Sequence, residues 1–216
     1  MQEDFDLLDA WRRGDQSAGS ELFNRHFDSI CRFFANKSDS DVEDLVQTTF
    51  LAIVESADNF RGQGSFRGFL FGVARNILRR HYRNKRQNRE RYDPLQQSVA
   101  DFAPTPSAII AGKREHQVLL QALRQLPMDH QALLELYYWE SLTAPELATI
   151  FEIPEGTVRG RIRRAKQLLE EQLNKLVKEP AILESTIGNL DGWAESLRKF
   201  VGANASRDAE DEEPAP

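Results

Sequence analysis

The side chains best placed to do chemistry in this chain are arginines rather than nucleophiles or metal ligands. Residues 143–169 read TAPELATIFEIPEGTVRGRIRRAKQLL. At about 100° per residue, Val158, Ile162, Ala165, Leu169 and Leu176 fall within about 40° of one line, which makes that line a core face. Arg159, Gly160, Arg163, Arg164 and Gln167 point the other way, Lys166 stands on the border, and no acidic residue interrupts the run from Arg159 to Lys166. Guanidinium groups on the outer face near a helix N-terminus can pair bidentately with guanine or grip phosphate in a major groove. Upstream, Thr143 and Glu146 form a capping-box pair with Pro145 in the first turn, and Ile153 and Pro154 end that helix after two turns. Ala148 and Val158, flanked by Leu147, Phe151 and Ile153, suit two short helices crossing over a small shared core, the spacing of a helix-turn-helix. The alternative is a solvated basic face on an ordinary helical hairpin.

A second set of arginines lies in residues 60–83, FRGQGSFRGFLFGVARNILRRHYR. Phe66, Leu70, Val73 and Ile77 make one stripe with Phe69 beside it, and Phe71, Arg75, Leu78, Arg79 and Tyr82 lie opposite. Aromatics interleaved with arginines suit single-stranded nucleic acid, with rings to stack bases at about 1–3 kcal/mol each and charge for the backbone. The residues alone permit a second reading equally well, in which Phe71, Leu78 and Tyr82 are another core face. The loop Arg61–Ser65, with Gly62 and Gly64 around Gln63, could approach a nucleotide closely. It lacks the glycine and Lys-Ser/Thr spacing of a phosphate-binding P-loop.

The elements that carry these residues are helical. Breaks near Gly14, Asn36–Ser40 and Arg61–Ser65 divide a first periodic block from about Asp6 to Tyr82, and a second block runs from near Ser107, broken at Pro127, to about Lys178. The predicted fold is therefore all-α, with two small helical domains, residues 1–83 and 107–178, joined by a flexible polar linker, 84–106, that contains Pro94, Pro104 and Pro106. Ser40 and Glu43 form another capping box, opening DVEDLVQTTFLAIVE. Val42, Val46, Thr49 and Ile53 face inward on that helix, while Glu43, Asp44, Gln47, Thr48 and Leu51 face out. Its acidity makes it a poor DNA surface and suits a basic protein surface.

Charge is distributed unevenly. The 216 residues carry 28 Lys+Arg and 34 Asp+Glu, net -6, which excludes a uniformly basic coating protein. Residues 61–92 nevertheless carry a net +9 and residues 155–178 a net +4, so two basic islands stand in an acidic chain, as two separate surfaces for a polyanion require. The single cysteine, Cys31, allows no intrachain disulfide. His26, His81, His116 and His130 are scattered without metal-site spacing, and no apolar run approaches the roughly 20 residues that span a bilayer. The N-terminus, MQEDFDLLDA, has no hydrophobic signal core. The expectation is a soluble, cytoplasmic, non-enzymatic protein with no cofactor, metal or membrane partner.

In order, DVEDLVQTTFLAIVE, NFRGQGSFRGFLFGVARNILRRHYR and LRQLPMDHQALLELYYWESLTAPELATIFEIPEGTVRGRIRRAKQLL resemble a bacterial RNA polymerase sigma factor of the extracytoplasmic-function (ECF) type, the class with only sigma regions 2 and 4. The resemblance covers about residues 5–178. It implies that Asp41, Asp44, Leu45, Gln47, Phe50 and Leu51 dock on the coiled coil of the largest subunit of core RNA polymerase. It implies that Arg61, Gln63, Ser65 and Phe66 receive a base flipped from the minus-ten element, with Arg75, Asn76, Arg79 and Arg80 holding the adjoining DNA. Thr157, Arg159, Gly160, Arg163, Arg164 and Lys166 would face the minus-thirty-five duplex. This favours single-strand binding for the first island. Such a factor initiates transcription in response to a stress or envelope signal, needs no catalytic residue, and is open to control by an anti-sigma factor. Gly160 stands where the family often has serine, Arg163 where it often has an aromatic or another residue, and Ala144-Pro145 where an aromatic and acidic pair is usual.

Beyond Pro180 the resemblance ends. In residues 181–201, Leu183, Ile187, Leu190, Trp193, Leu197 and Val201 recur at helical spacing, and the tail SRDAEDEEPAP has the composition of a disordered segment. A self-standing helix-turn-helix repressor or activator is the competing function, but it has no use for a docking helix or a strand-trapping loop. A nuclease would need a carboxylate or metal cluster that the sequence lacks.

Overall fold

The computed structural model describes residues 2–38, 41–56, 64–85, 93–101 and 114–176, together with Gly192. Among them every regular element is helical: α1 (Gln2–Arg12), α2 (Gln16–Ala35), α3 (Val42–Ser56), α4 (Phe66–Lys85), a short 3-10 helix (Val99–Asp101), α5 (Arg114–Arg124), α6 (Met128–Tyr138), α7 (Ala144–Phe151) and α8 (Glu155–Leu176). The breaks expected from glycine, proline and polar clusters fall between these helices. The Ser40–Glu43 cap and the 181–201 helix, Gly192 apart, lie outside the described residues.

The chain forms two compact units, and neither coincides with a contiguous half of the sequence. The first comprises Met1–Phe34, Ser40–Tyr92 and Leu142–Arg159; the second comprises Ala35–Asp39, Asp93–Ser141 and Gly160–Pro216. In the first unit α1 folds back on α2 through Gly14, whose φ of 100° few other residues adopt. Asp15 accepts hydrogen bonds from the Ser17 and Ala18 amides at 3.0 and 3.2 Å and so caps α2. The two helices approach closely at Gly19, where a Cβ would stand 2.6 Å from the Trp11 ring. Asp4 is buried, paired with His26 Nε2 at 3.1 Å and Arg25 Nη1 at 3.0 Å. Leu22, Ile30 and Phe34 of α2, Leu45, Val46 and Ile53 of α3, and Leu70, Phe71, Leu78 and Tyr82 of α4 make the core. Thr49 is buried among them because its hydroxyl donates to the Leu45 carbonyl at 2.7 Å.

α4 is covered on two sides, by α3 and by α7, and these are the most extensive helix pairings described. The α7–turn–α8 motif forms as its sequence requires. The Thr143 amide and hydroxyl both donate to Glu146 Oε2, at 2.8 and 2.7 Å, Pro145 sits in the first turn, and Glu152 ends the helix in the left-handed conformation. The small core expected between α7 and α8 is, however, not the principal contact of α7. Leu147, Ile150 and Phe151 are buried in the unit in which α7 packs on α4.

In the second unit Leu119 and Leu123 of α5, Leu134 of α6, Trp139, and Ala165, Leu169 and Leu173 of α8 form a continuous core. Val158 is buried in the first unit, as its place on the α8 stripe requires, whereas Leu176, assigned to the same stripe, is exposed and Leu173 is buried instead. Part of the 84–106 stretch is structured. α6 begins after Pro127 with no side-chain cap, and its first amides are met by that stretch: Met128 N–H donates to Gln97 O at 2.9 Å and Asp129 N–H to Pro94 O at 3.0 Å. The second unit also encloses an ion pair, Lys37 with Glu135, both buried. Asn36 and Gln131 donate to the same carboxylate at 3.3 and 2.9 Å. Burial pushes the Lys37 ammonium below its ordinary pKa, against the pull of Glu135.

Candidate nucleic-acid interface

α8 carries the arginine face. Its apolar stripe is buried, Val158 in the first unit and Ala165, Leu169 and Leu173 in the second, while Thr157, Arg159, Gly160, Arg163, Arg164 and Lys166 are all exposed. A Cβ at Gly160 would meet nothing within 4 Å, so no packing demand explains the glycine, and a side chain there would project into open space. Arg164 lies 3.6 Å from Glu171, an exposed pair worth little. Lys166 stands 5.3 Å from the Tyr138 ring, which fixes the border of the face. Behind the face, His130 is held below its ordinary pKa, first by burial and then by the charges of Arg161 and Arg164, against Asp129. Positive charge without an acidic interruption along a helix with a capped helix before it is the arrangement that enters a major groove.

The α4 residues divide into two groups. Asn76, Arg79 and Arg80, joined by Arg83, line a shallow polar concavity of about 320 Å³. This gives one cluster of side-chain donors suited to a phosphate backbone, to which Arg83 is an addition that helical spacing from Arg79 and Arg80 could have supplied. Ser65, Phe66 and Arg75, by contrast, are buried. Ser65 caps α4, accepting the Gly68 amide at 3.0 Å, and donates to Glu146. Arg75 is 3% exposed, with Nη1 donating to Ile150 O at 3.2 Å and the guanidinium 4.7 Å over the Phe151 ring. Phe71, Leu78 and Tyr82 are core residues, so the structure corrects the expectation that this aromatic set is displayed for base stacking. The physical reason is that α4 has apolar residues on two faces and is packed on both. Arg61 and Gln63 lie outside the described residues.

The α3 residues divide similarly. Gln47, Phe50 and Leu51 line an apolar groove of about 450 Å³, which continues onto α2 through Phe23, Phe27 and Cys31. Leu51 is 56% exposed and Phe27 47%. Phe50 stacks on Phe27 with ring centroids 6.0 Å apart and tilts against Phe23 at 5.0 Å. Sequence reading missed the α2 wall, although Phe23, Phe27 and Cys31 recur at i, i+4, i+8 and could have signalled it. Burial pushes the Cys31 thiol up to about 11, so it lines the groove as an unreactive apolar group. Asp44 is exposed outside the groove. Leu45 is buried and supports the helix from beneath. Asp41 is tied to Lys85 at 2.6 Å and faces His81 at 3.4 Å. Among the described residues no group of His, Cys, Asp and Glu could hold a metal ion, and no helix is long and apolar enough to cross a membrane.

The described residues are all-helical and combine an exposed arginine face on a helix-turn-helix with a second basic cluster on another helix and an apolar groove, features that suit a multi-contact DNA-binding protein. Residues 22–88 match the family model "Sigma-70 region 2" and residues 116–169 match "Sigma-70, region 4". The chain is 24% identical over 180 residues to the ECF RNA polymerase sigma-E factor of Haemophilus influenzae, covering 79% of this chain and 95% of that protein. It is 27% identical over 191 residues to the RNA polymerase sigma-H factor of Pseudomonas aeruginosa, covering 83% and 98%. Its fold is similar to that of CnrH, solved in complex with the cytosolic domain of CnrY, with a TM-score of 0.58 at 24% identity over 80% of this chain and 98% of that one. It is likewise similar to the sigma factor RpoE of Bartonella quintana, solved with the anti-sigma factor NepR, with a TM-score of 0.58 at 22% identity over 74% and 98%. The chain belongs to the RNA polymerase sigma factors, in their ECF class. It binds core RNA polymerase and promoter DNA, and directs transcription initiation.

Proposed function

We propose the following division of labour. α8 reads the minus-thirty-five duplex with Thr157, Arg159, Gly160, Arg163, Arg164 and Lys166. α4 holds the minus-ten strand with Asn76, Arg79 and Arg80, together with Arg61, Gln63, Ser65, Phe66 and Arg75. The α2–α3 groove docks on the coiled coil of the largest polymerase subunit through Gln47, Phe50 and Leu51, with Asp44 at its margin and Asp41 and Leu45 positioning α3. The observation that carries this reading is the uninterrupted exposed arginine face of α8. The chain supplies binding energy and no catalytic group: contacts to both elements and to the polymerase offset the few kcal/mol that each unstacked or flipped base costs. It works where the polymerase works, in the cytoplasm, under an anti-sigma factor that holds it inactive until a stress or envelope signal, a reading supported by the fold neighbour solved with such a partner.

The test is reconstitution. Core RNA polymerase plus this chain should produce discrete transcripts from a genomic fragment library, and sequencing their start sites should expose shared elements at both spacings. Charge-reversal of Arg163 should abolish those starts. Duplex binding without any initiation would instead make the chain a self-standing helix-turn-helix regulator.

A further inference from the structure

α8 carries a poor helix former at its most outward position. At about 100° per residue, the line opposite the buried Val158, Ala165 and Leu169 passes within about 20° of Gly156, Gly160 and Gln167. The outermost crest of the first two turns therefore has no side chain. Arg163 stands about 40° to one side of that crest and Arg164 about 60° to the other, and both are exposed. Nothing in the fold asks for glycine on the crest. A Cβ at Gly156 or Gly160 would meet nothing within 4 Å, and neither residue has the positive φ that Gly14 and Gly64 have. Glycine in a helix interior is less favourable than any residue but proline, because it orders the freest backbone. Gly160, inside a 22-residue helix, thus weakens α8 with no packing contact to offset the loss.

Its benefit lies in how closely the helix can approach DNA. A helix with its side chains is about 10–12 Å across, and the major groove is about 12 Å wide and 8.5 Å deep. An outward side chain on the crest would therefore set how far the backbone descends. We propose that Gly160 seats the α8 backbone on the floor of the major groove, so that Arg163 and Arg164 straddle it and each reads a guanine, one on each strand, on either side of a base step that no side chain reads. The inference rests on the assignment of α8 to the minus-thirty-five duplex and names the class of sequence that face takes. Arginine pairs bidentately with guanine O6 and N7. Arg163 and Arg164 leave the helix about 100° apart, so from a deeply seated helix they are directed to opposite strands.

The variants that test this move stability and binding in opposite directions. Gly160→Ala and Gly160→Leu in the full chain should both raise the urea unfolding midpoint, since alanine and leucine favour a helix over glycine. Assembled with core RNA polymerase, the same chains should bind more weakly to a fluorescein-labelled duplex that the parent holoenzyme selects from a pool randomised across the upstream element. The loss should be smaller for alanine and about tenfold or more for leucine, the size of one lost bidentate pair. Sequencing the duplexes that the parent retains should show guanine at two positions on opposite strands. Arg163→Ala should relax the preference at one of them and Arg164→Ala at the other. Gly160→Leu binding as tightly as the parent, while the arginine variants bind weakly, overturns the close approach. Relaxation by both arginine variants on the same strand overturns the straddle. If neither arginine variant alters affinity or the selected sequence, the minus-thirty-five assignment of α8 itself fails, and the role of Gly160 falls with it.

Discussion

α4 and α8 are arginine-bearing helices of similar length, 20 and 22 residues, and they present that charge in opposite ways. α8 has one apolar stripe, so one side is covered and Arg159, Arg163 and Arg164 remain in solvent. α4 has two, so α3 and α7 both settle on it and Arg75 is enclosed between apolar neighbours. The number of apolar faces, more than the number of arginines, decides whether a basic helix is a display surface or a buried strut. On α4 the polar groups that stay outside, Asn76 with the charged Arg79, Arg80 and Arg83, line one shallow concavity.

The sharpest way to break this contrast is on α8. Replacing Arg159 and Arg163 by alanine should weaken binding to duplex carrying the upstream element by about 1–3 kcal/mol for each arginine that contacts a base, and should reduce the salt dependence by about one phosphate contact per arginine. Anisotropy titrations at several salt concentrations measure both. Unfolding midpoints should hardly move, because exposed substitutions stay within about 0.5 kcal/mol. An unaltered salt slope would remove the α8 face from the groove.

Arg75→Ala is the matching experiment on α4, and its effect should fall on stability. It deletes a charged hydrogen bond and a cation–π contact and leaves the Ile150 carbonyl short of a donor, a loss of about 2 kcal/mol in urea unfolding. If Arg75→Ala and Arg163→Ala cost the same stability, the distinction between strut and display surface fails. The apolar groove supplies a third case, a surface exposed without charge. Leu51→Glu with Gln47→Glu should weaken core-polymerase binding by about 1–3 kcal/mol and leave duplex affinity and the unfolding midpoint unchanged. Undiminished polymerase affinity would move the docking site off this groove.

Local signals made much of this legible in advance. The Thr143–Glu146 box, the Gly14 and Pro127 breaks and the Val158–Leu169 stripe are all contained in short windows, and helical periodicity expresses them directly. What escaped is what depends on partners distant in sequence. Ser65 and Glu146 are 81 residues apart, and Lys37 and Glu135 are 98 apart, so nothing near either residue announces the pairing. Tyr82 and Phe71 could be read as stacking surface or core because periodicity gives a direction and not the neighbour standing there. Leu176 shows the same limit: its angle on α8 matches the stripe, but the described partners end at the level of Leu173.

The smallest expected effects come from acid, and they separate the α7–α4 contact from the rest of the first unit. His26 is lowered from 6.5, first by burial and further by Arg67 and Arg25, against the pull of Asp4. His81 is lowered by burial and Lys85. A group whose folded pKa lies below its unfolded value contributes stability that is complete above the unfolded pKa and is lost as pH falls through the folded one. Stability should therefore decline gently as pH falls below about 6.5, and His26→Gln should shrink that first decline. Glu146 is also lowered, from 4.5, so its contribution persists through the histidine range and is lost only below 4.5. That second decline tracks the hydrogen bonds at the N-terminal end of α7. Ser65→Ala should lower the unfolding free energy at every pH by about 1 kcal/mol through the lost α4 cap, and the midpoint with it. It should also reduce the second decline while leaving the first intact. Urea midpoints from pH 7.5 to 3.5 measure both steps, and a Ser65→Ala profile parallel to the parent below pH 4.5 would show that Ser65 does not set the ionisation of Glu146.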